Sequence, residues 1–381
     1  MNSKNTNILL TQSETLQETI DCLVQNVPLK TQGKFTSSDL YHILVRAACD
    51  CDSIENTSKI LRKSPTGRNI RHHFQKFDDI QELEKQLNSA LVSRTLPQIK
   101  KGKLKLAIDL NLIPYYGEPS AEEKPYIYRS QAKLGTCSFY AYATLYVIKK
   151  NKRFTLAIRA VRQIDTMVSV ISYLLGYISS LRLDFKTLYL DRGFFSISVI
   201  RWLQMLNIPF IMPAIRRGKT GGINQFMTGG KSYKTTYKMS KNKEDFVSFE
   251  LWIVCKYLKG KRNKKGIEYF AYVVYKPCVS IDYIHESYRE RFGIESSYRV
   301  KNICRIKTTN KNPMIRLLFI GISFILVNIW INLLWRKVSK PRRGGRLIYH
   351  SLFTFKQMLC FLRHSIDEIY QIVDGVYLPS G

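Results

Sequence analysis

From residue 317 to residue 335 the chain runs for nineteen residues without a charged side chain, bounded by Arg316 on one side and by Arg336 and Lys337 on the other. A helix that is apolar all round has to leave water on every side. It must enter either a bilayer, for which its length suffices, or a core large enough to surround it. Asn328 and Asn332 lie four residues apart on one face, beside Gly321 and Ser323, and they call for polar partners inside a protein. Basic residues at both ends give no orientation signal for a span. The expectation is a helix buried against other elements, with a membrane span as the alternative. At 381 residues the chain has enough sequence to supply the cover.

The covering elements follow in order. Residues 104–109 alternate and then turn apolar up to Asp109, which reads as a strand. Residues 112–124, with Pro114, Gly117 and Pro119, read as a loop. Residues 138–149 and 153–161 are rich in Tyr, Phe, Thr and Val and flank a polar turn at 150–152, a hairpin pattern. Helical periodicity over 166–181 is followed by a strand at 187–190 ending in Asp191, a helix at 196–206 and a strand at 208–212. Between residues 213 and 282 the pattern changes to Gly- and Lys-rich loops with strands at 233–239, 246–256 and 267–275. A basic loop, 259–266, joins the last two. Before residue 100 the chain is helical: amphipathic stretches at 15–24 and 37–48, then 53–63, 66–77 and 79–96. Pro65 and Gly67 punctuate a short helix, a tight turn and a second helix bearing Arg68, Arg71, His72, His73 and Lys76. That arrangement suits a helix-turn-helix DNA reader or a plain helical bundle with a polar outer face. After the apolar run come a basic stretch, 336–346, and an amphipathic helix, 352–370.

Three acids stand out. Asp109 and Asp191 each follow a strand, where a carboxylate is rigidly held and open to solvent, although an acid in that position often only caps the next helix. Read as one helix, residues 288–301 place Tyr288, Arg291 and Glu295 within an arc of roughly 60°, with Arg299 continuing that face. A solvated face of mixed Glu and Arg looks the same when taken alone. The ordered set of three acids is what favours a site.

With those residues in view, the chain resembles DDE transposases of bacterial and archaeal insertion sequences, in the branch with a β-rich insertion before the last acid and a Tyr-x2-Arg-x3-Glu-x6-Lys signature. Tyr288, Arg291 and Glu295 match in register. The lysine does not: Asn302 holds its position and Lys301 lies one residue early, which leaves Arg299 or Arg305 as a candidate for the phosphate contact. The resemblance covers roughly residues 100–335. It implies an α/β fold, a ribonuclease-H-like mixed sheet flanked by helices, in which the first and fourth strands lie side by side and bring Asp109 to Asp191. By domain it implies a catalytic domain at 101–212 and 283–338 and a β-rich insertion at 213–282; residues 1–100, by their own pattern, read as a helical DNA-end-binding domain and 339–381 as a basic, helical tail. It further implies two Mg²⁺ ions, replaceable by Mn²⁺, with Asp109 bridging them and Asp191 and Glu295 each completing one. Tyr288 and Arg291 would position the cut strand, and Arg299 or Lys301 would grip a neighbouring phosphate. Trp252 or Phe292 would stack on an extruded base, with core packing as the alternative for Trp252. His285 is a further candidate for positioning DNA. The partners implied are double-stranded DNA at element ends and target, bound by a homodimer, with no membrane, in the cytoplasm at the nucleoid. A decayed or domesticated DNA-binding derivative and a nuclease that cuts without joining remain as alternatives.

Charge agrees with a polyanion partner. Lys and Arg number 60 against 29 Asp and Glu, a net charge of +31. Residues 1–100 hold 13 basic side chains and 11 acidic ones, so nearly all the excess lies in the presumed catalytic part. A ribosomal-type or membrane-surface protein would share the charge without needing acids at strand ends. The eight cysteines show no Cys-x2-Cys pair, which predicts free thiols, several of them buried, in a reducing compartment. The N-terminal residues lack a long apolar run, so no secretory signal is expected.

Overall fold

The computed structural model describes residues 10–375 except 32, 75–76, 101, 150–152, 219, 258–265 and 344, with backbone alone for 292–297. The turn expected at 150–152, most of the basic loop at 259–266, Lys76 and the side chains of Phe292 and Glu295 therefore lie outside the described residues.

The chain opens with helices α1 (Gln12–Asn26), α2 (Ser37–Cys49), α3 (Ile54–Ile60), α4 (Gly67–Phe74), α5 (Ile80–Ser93) and the short α6 (Leu96–Ile99). Sequence chemistry sets their starts. Thr11 with Glu14, and Thr36 with Asp39, form reciprocal capping boxes, and the Ser53 hydroxyl accepts from the Asn56 amide. The sheet follows: β1 (Leu104–Pro114), β2 (Ile127–Lys133), β3 (Thr136–Val147), β4 (Thr155–Ala160), α7 (Met167–Ser180), β5 (Phe185–Leu190), α8 (Ile197–Met205) and β6 (Phe210–Pro213). Strands β7 (Tyr233–Ser240), β8 (Phe246–Tyr257) and β9 (Ile267–Tyr275) come next, then helices α9 (Ile281–Arg289), α10 (Gly293–Asn302) and α11 (Pro313–Arg336). A small hairpin, β10 (Ser339–Arg342) and β11 (Gly345–Ile348), and helix α12 (Phe355–Tyr370) close the chain.

Among the described residues nine strands form one sheet in the order β2-β3-β1-β5-β6-β9-β8-β7, with β4 also paired to β3. Strands β1, β3 and β4 are antiparallel, while β1, β5 and β6 are parallel, so the first and fourth core strands are neighbours as the resemblance implies. The insertion is β-rich and continues this same sheet, since β9 pairs antiparallel with β6.

Two sequence expectations change here. Asp109 does not end its strand: β1 runs five residues further because β3 stays paired to it, Asp109 opposite Thr144, through Pro114. What ends is β5, whose parallel pairing with β1 stops at Ile108 opposite Leu190. The loop expected from 112 to 124 accordingly starts late, and β2, unforeseen, follows it on the outer side of β3. Residues 288–301 are also not one helix. A 3-10 turn, Glu290–Phe292, separates α9 from α10 immediately before Gly293, a residue with little helix preference.

Side-chain alternation along β1 divides its neighbours. Leu106 and Ile108 pack with α7 and α8 residues such as Leu174 and Leu203 on one face. Ala107 belongs to a small cluster with Tyr189, Trp252, Tyr272 and Tyr288 on the other. Further along this second face, Tyr140, Tyr142 and Ile158 join a large core shared by α1, α2, α5, α11 and α12. Helix α11, the uncharged run, is almost wholly buried there. Its polar residues find partners. Asn328 donates to the carbonyls of Leu91 at 2.9 Å and Thr155 at 2.7 Å and accepts from the Thr155 amide at 3.1 Å. Helix α5 does the same for the outer edge of β4, Asn88 accepting from the Ile158 amide and Glu84 from the Ala160 amide, both at 2.7 Å. Asn332 meets Gln98.

Candidate active site

Asp109 and Asn111 alternate on the second face of β1, between the two clusters, and Asp191 follows Leu190 where β5 parts from β1. Asp191 opens the turn Arg192–Phe194 but makes no side-chain capping bond. Capping therefore does not account for its carboxylate. Both acids turn to Arg291 instead: its Nη2 lies 2.9 Å from Asp191 Oδ1 and 3.5 Å from Asp109 Oδ1. Like charges brought together at a sheet crevice need a cation between them, and a planar guanidinium supplies it. The Arg291 side chain is 5% exposed and that of Asp109 12%, whereas that of Asp191 is 40% exposed, so the pair is open on one side. Burial opposes the charge on Arg291, but Tyr288 and the two aspartates outweigh it and leave its pKa above the ordinary value.

Several ties hold the α9–α10 segment over these strands. The Tyr288 hydroxyl donates to the Leu190 carbonyl at 3.1 Å, fixing the end of β5 one residue before Asp191. Ser287 meets the Tyr189 hydroxyl at 2.6 Å, and Glu290 pairs with Lys105 of β1 at 2.7 Å. On α10, the Tyr298 hydroxyl bonds to Thr144, the residue opposite Asp109. Glu295 lies on the α10 backbone between Arg291 and Tyr298, two residues anchored around Asp109.

Several candidate DNA contacts take other places. Tyr288, 5% exposed with its hydroxyl on Leu190, and Arg291, on the aspartates, order the site from within. Trp252 is 2% exposed, inside the cluster with Tyr272. Its indole donates to Glu250 at 3.0 Å and Lys234 covers its ring, so the sheet interior leaves no face for a base. Lys301 is wholly buried and donates to Asn111 Oδ1 at 3.2 Å, between the rings of Tyr298 and Phe324. Burial, helped by Arg305, presses its pKa down to about 7, and no phosphate reaches it there. His285 is buried against Phe270 and bonded to Tyr272, and burial lowers its pKa. Arg299 is exposed on α10. On α4, Arg68 is exposed and Arg71 pairs with Glu55 at 2.9 Å. Sequence reasoning missed Asn111 and Thr144, whose only signal was their register beside Asp109. All eight cysteines are free thiols, and Cys137 and Cys278 are exposed rather than buried.

No model of a known protein family and no curated protein matches this sequence. Among solved structures, the chain is similar to a piggyBac transposase in a synaptic complex with hairpin DNA, determined by cryo-electron microscopy. The TM-score is 0.55 at 12% identity, over 94% of this chain and 78% of that one. The likeness is one of fold: a mixed sheet with flanking helices of the ribonuclease-H-like kind.

Proposed function

We propose that this chain is a DNA transposase of the DDE kind, a metal-dependent enzyme that cuts DNA at the ends of an insertion sequence and joins the freed 3′-hydroxyl to another strand. The observation that carries this reading is the convergence of Asp109 and Asp191, from neighbouring parallel strands, on the single guanidinium of Arg291. The fold shared with a transposase supports it.

The donor set fits the implied metal. Two carboxylates within reach of one cationic nitrogen, one of them solvent-facing, are hard oxygen ligands of the kind that bind Mg²⁺ while leaving it several waters. Asp109 and Asp191 would hold the ions, with Glu295 completing the set as the resemblance implies, and Mn²⁺ meets the same requirement. When bound, such ions favour charge on the attacking and leaving oxygens of a phosphodiester. The chain's own residues prepare the place. Tyr288 fixes the end of β5, Thr144 and Tyr298 fix α10 to β3, and Arg291 offsets the repulsion between the aspartates. Arg299, exposed on α10, would meet a strand phosphate. Double-stranded DNA, bound by two copies at paired element ends, is the partner that goes with this reading, and the nucleoid is its place.

The test is incubation of the purified chain with the DNA flanking its own gene, in Mg²⁺ or EDTA, beside Asp109→Ala and Asp191→Ala. Expected are metal-dependent nicks at repeat boundaries, followed by joined products, reduced roughly a thousandfold or more in either variant. Cleavage that survives both substitutions or EDTA refutes the reading. A second reading, a derivative that binds DNA without cutting it, rests on one observation: Asn302 stands where the signature has lysine, while Lys301 is buried. Specific binding with no cleavage selects it.

A further inference from the structure

A cavity of about 390 Å³ lies further along the strands that carry the site, lined by Ile113 and Tyr115 at the end of β1, by Tyr140 and Tyr142 of β3, and by the segment that links α10 to α11. Among the described residues four cations line it, Arg305, Lys307, Lys311 and Arg316, and no acidic side chain does. The nearby Glu123 is already engaged, accepting from the Tyr115 and Tyr140 hydroxyls and the Ser120 amide, with Lys311 Nζ at 3.9 Å. Arg316 is held in place by its Nε bond to the Asn310 carbonyl at 2.7 Å and by its stacking over Tyr140.

Tyr142 supplies the second, independent observation. It is 2% exposed, it lines this cavity, and its hydroxyl has no hydrogen-bond partner among the described residues. A buried hydroxyl is rarely left so, because the loss costs about 1–3 kcal/mol. Arg316 and Arg305 are the charged groups that act on it. An orphan donor among four cations is complementary to a polyoxygen anion.

We propose that this cavity is a phosphodiester subsite, holding one backbone phosphate of bound DNA on the Tyr142 hydroxyl and the Arg305 and Arg316 guanidiniums. The proposal rests on the DNA reading above and extends it. Tyr142 pairs with Asn111, two residues or about 7 Å beyond Asp109 along the strand, and the lining extends to Ile113, two residues further. At about 3.4 Å per base pair, a phosphate held there lies about two to four base pairs from the carboxylates. The duplex continues from there toward α4. Lys307, Thr308 and Thr309 line both this cavity and an adjoining one of about 640 Å³ that reaches Arg71, and Lys307 is pinned between the two by its bridge to Ser53.

The experiment measures binding of the full chain to a labelled duplex of its flanking DNA, in EDTA, over a series of salt concentrations, for wild type, Tyr142→Phe and Arg305→Gln. Tyr142→Phe removes a hydroxyl that nothing satisfies in the free protein. Its melting temperature should hold or rise, while its affinity for the duplex falls about tenfold. Arg305→Gln should weaken binding and lessen the salt dependence by about one phosphate contact. Wild-type affinity and salt slope in both variants overturn the subsite. So does a Tyr142→Phe protein that is less stable yet binds DNA normally, since that marks the hydroxyl as purely structural. A wild type that binds no duplex overturns the subsite and the transposase reading together. One that binds but never cuts removes only the catalytic reading, and the subsite is then judged by its variants.

Discussion

Lys301 shows how far a residue's role can lie from what its charge suggests. In a chain with net charge +31, beside a motif that has a lysine one position later, it reads as a phosphate grip. Helix α10 turns it instead toward Asn111 and buries it completely. Burial moves its pKa from lysine's usual 10.5 down to about 7. Between those values the unfolded chain carries a proton that the folded chain lacks, so stability rises with pH across that window. Below about pH 7 the folded chain carries the buried charge as well, and the full penalty stands. Lys301→Met should therefore stabilise the protein by roughly 1–3 kcal/mol near pH 6, with the gain shrinking as the pH climbs toward 10, as denaturant melts over that range would show. An equal effect at all pH values would count against a buried charge. The motif was legible as spacing: Tyr288, Arg291 and the α10 backbone at Glu295 do fall in one region. Their roles were not, because spacing says which residues share a surface and not that Arg291 spends its guanidinium on the two aspartates.

At the scale of elements, the sequence was a good guide to what forms and a poorer one to where it stops. Helices α7 and α8 begin within a residue of expectation because Thr166 and Ser196 cap them through local chemistry. Strand β1 overran its predicted end because its continuation depends on β3, thirty-odd residues away, and no local signal records that. The same dependence on distant partners hid which groups Asn328 meets, although its place in an apolar run called for polar ones. In the fold it ties α11 to β4 and to the end of α5 through three hydrogen bonds. Asn328→Leu keeps the branched shape and removes all three bonds, leaving the Thr155 amide without its acceptor while the Leu91 carbonyl keeps only the Thr95 hydroxyl, so a loss of about 3 kcal/mol is expected, read from the urea midpoint. A loss below about 1 kcal/mol would mean that the helix and strand are held by apolar contact alone.

For the whole molecule, the helical beginning and end of the chain share one core. Leu23 and Leu44 belong to the same buried cluster as Ile325, Leu362 and Ile366. Arg46 of α2 bonds to Asp367 of α12 at 2.6 Å, Tyr370 donates to Asp39 at 2.7 Å, and the Arg62 amide donates to the Gln371 carbonyl at 2.8 Å. A fragment of residues 1–100, made alone, should show no cooperative thermal transition by circular dichroism, since the apolar surface it buries is covered by α11 and α12. A sharp transition in that fragment would establish it as an independent unit. The side-chain bonds along β4 have a consequence of another kind. A broad sheet with apolar strands invites other chains to add to it, and an open row of amides is the template for such growth. Here the outer amides of β4 are already engaged by Glu84, Asn88 and Asn328, while the far edge, β7, carries exposed Lys234 and Lys238. Addition of further strands is thus opposed by hydrogen bonding along β4 and by charge along β7.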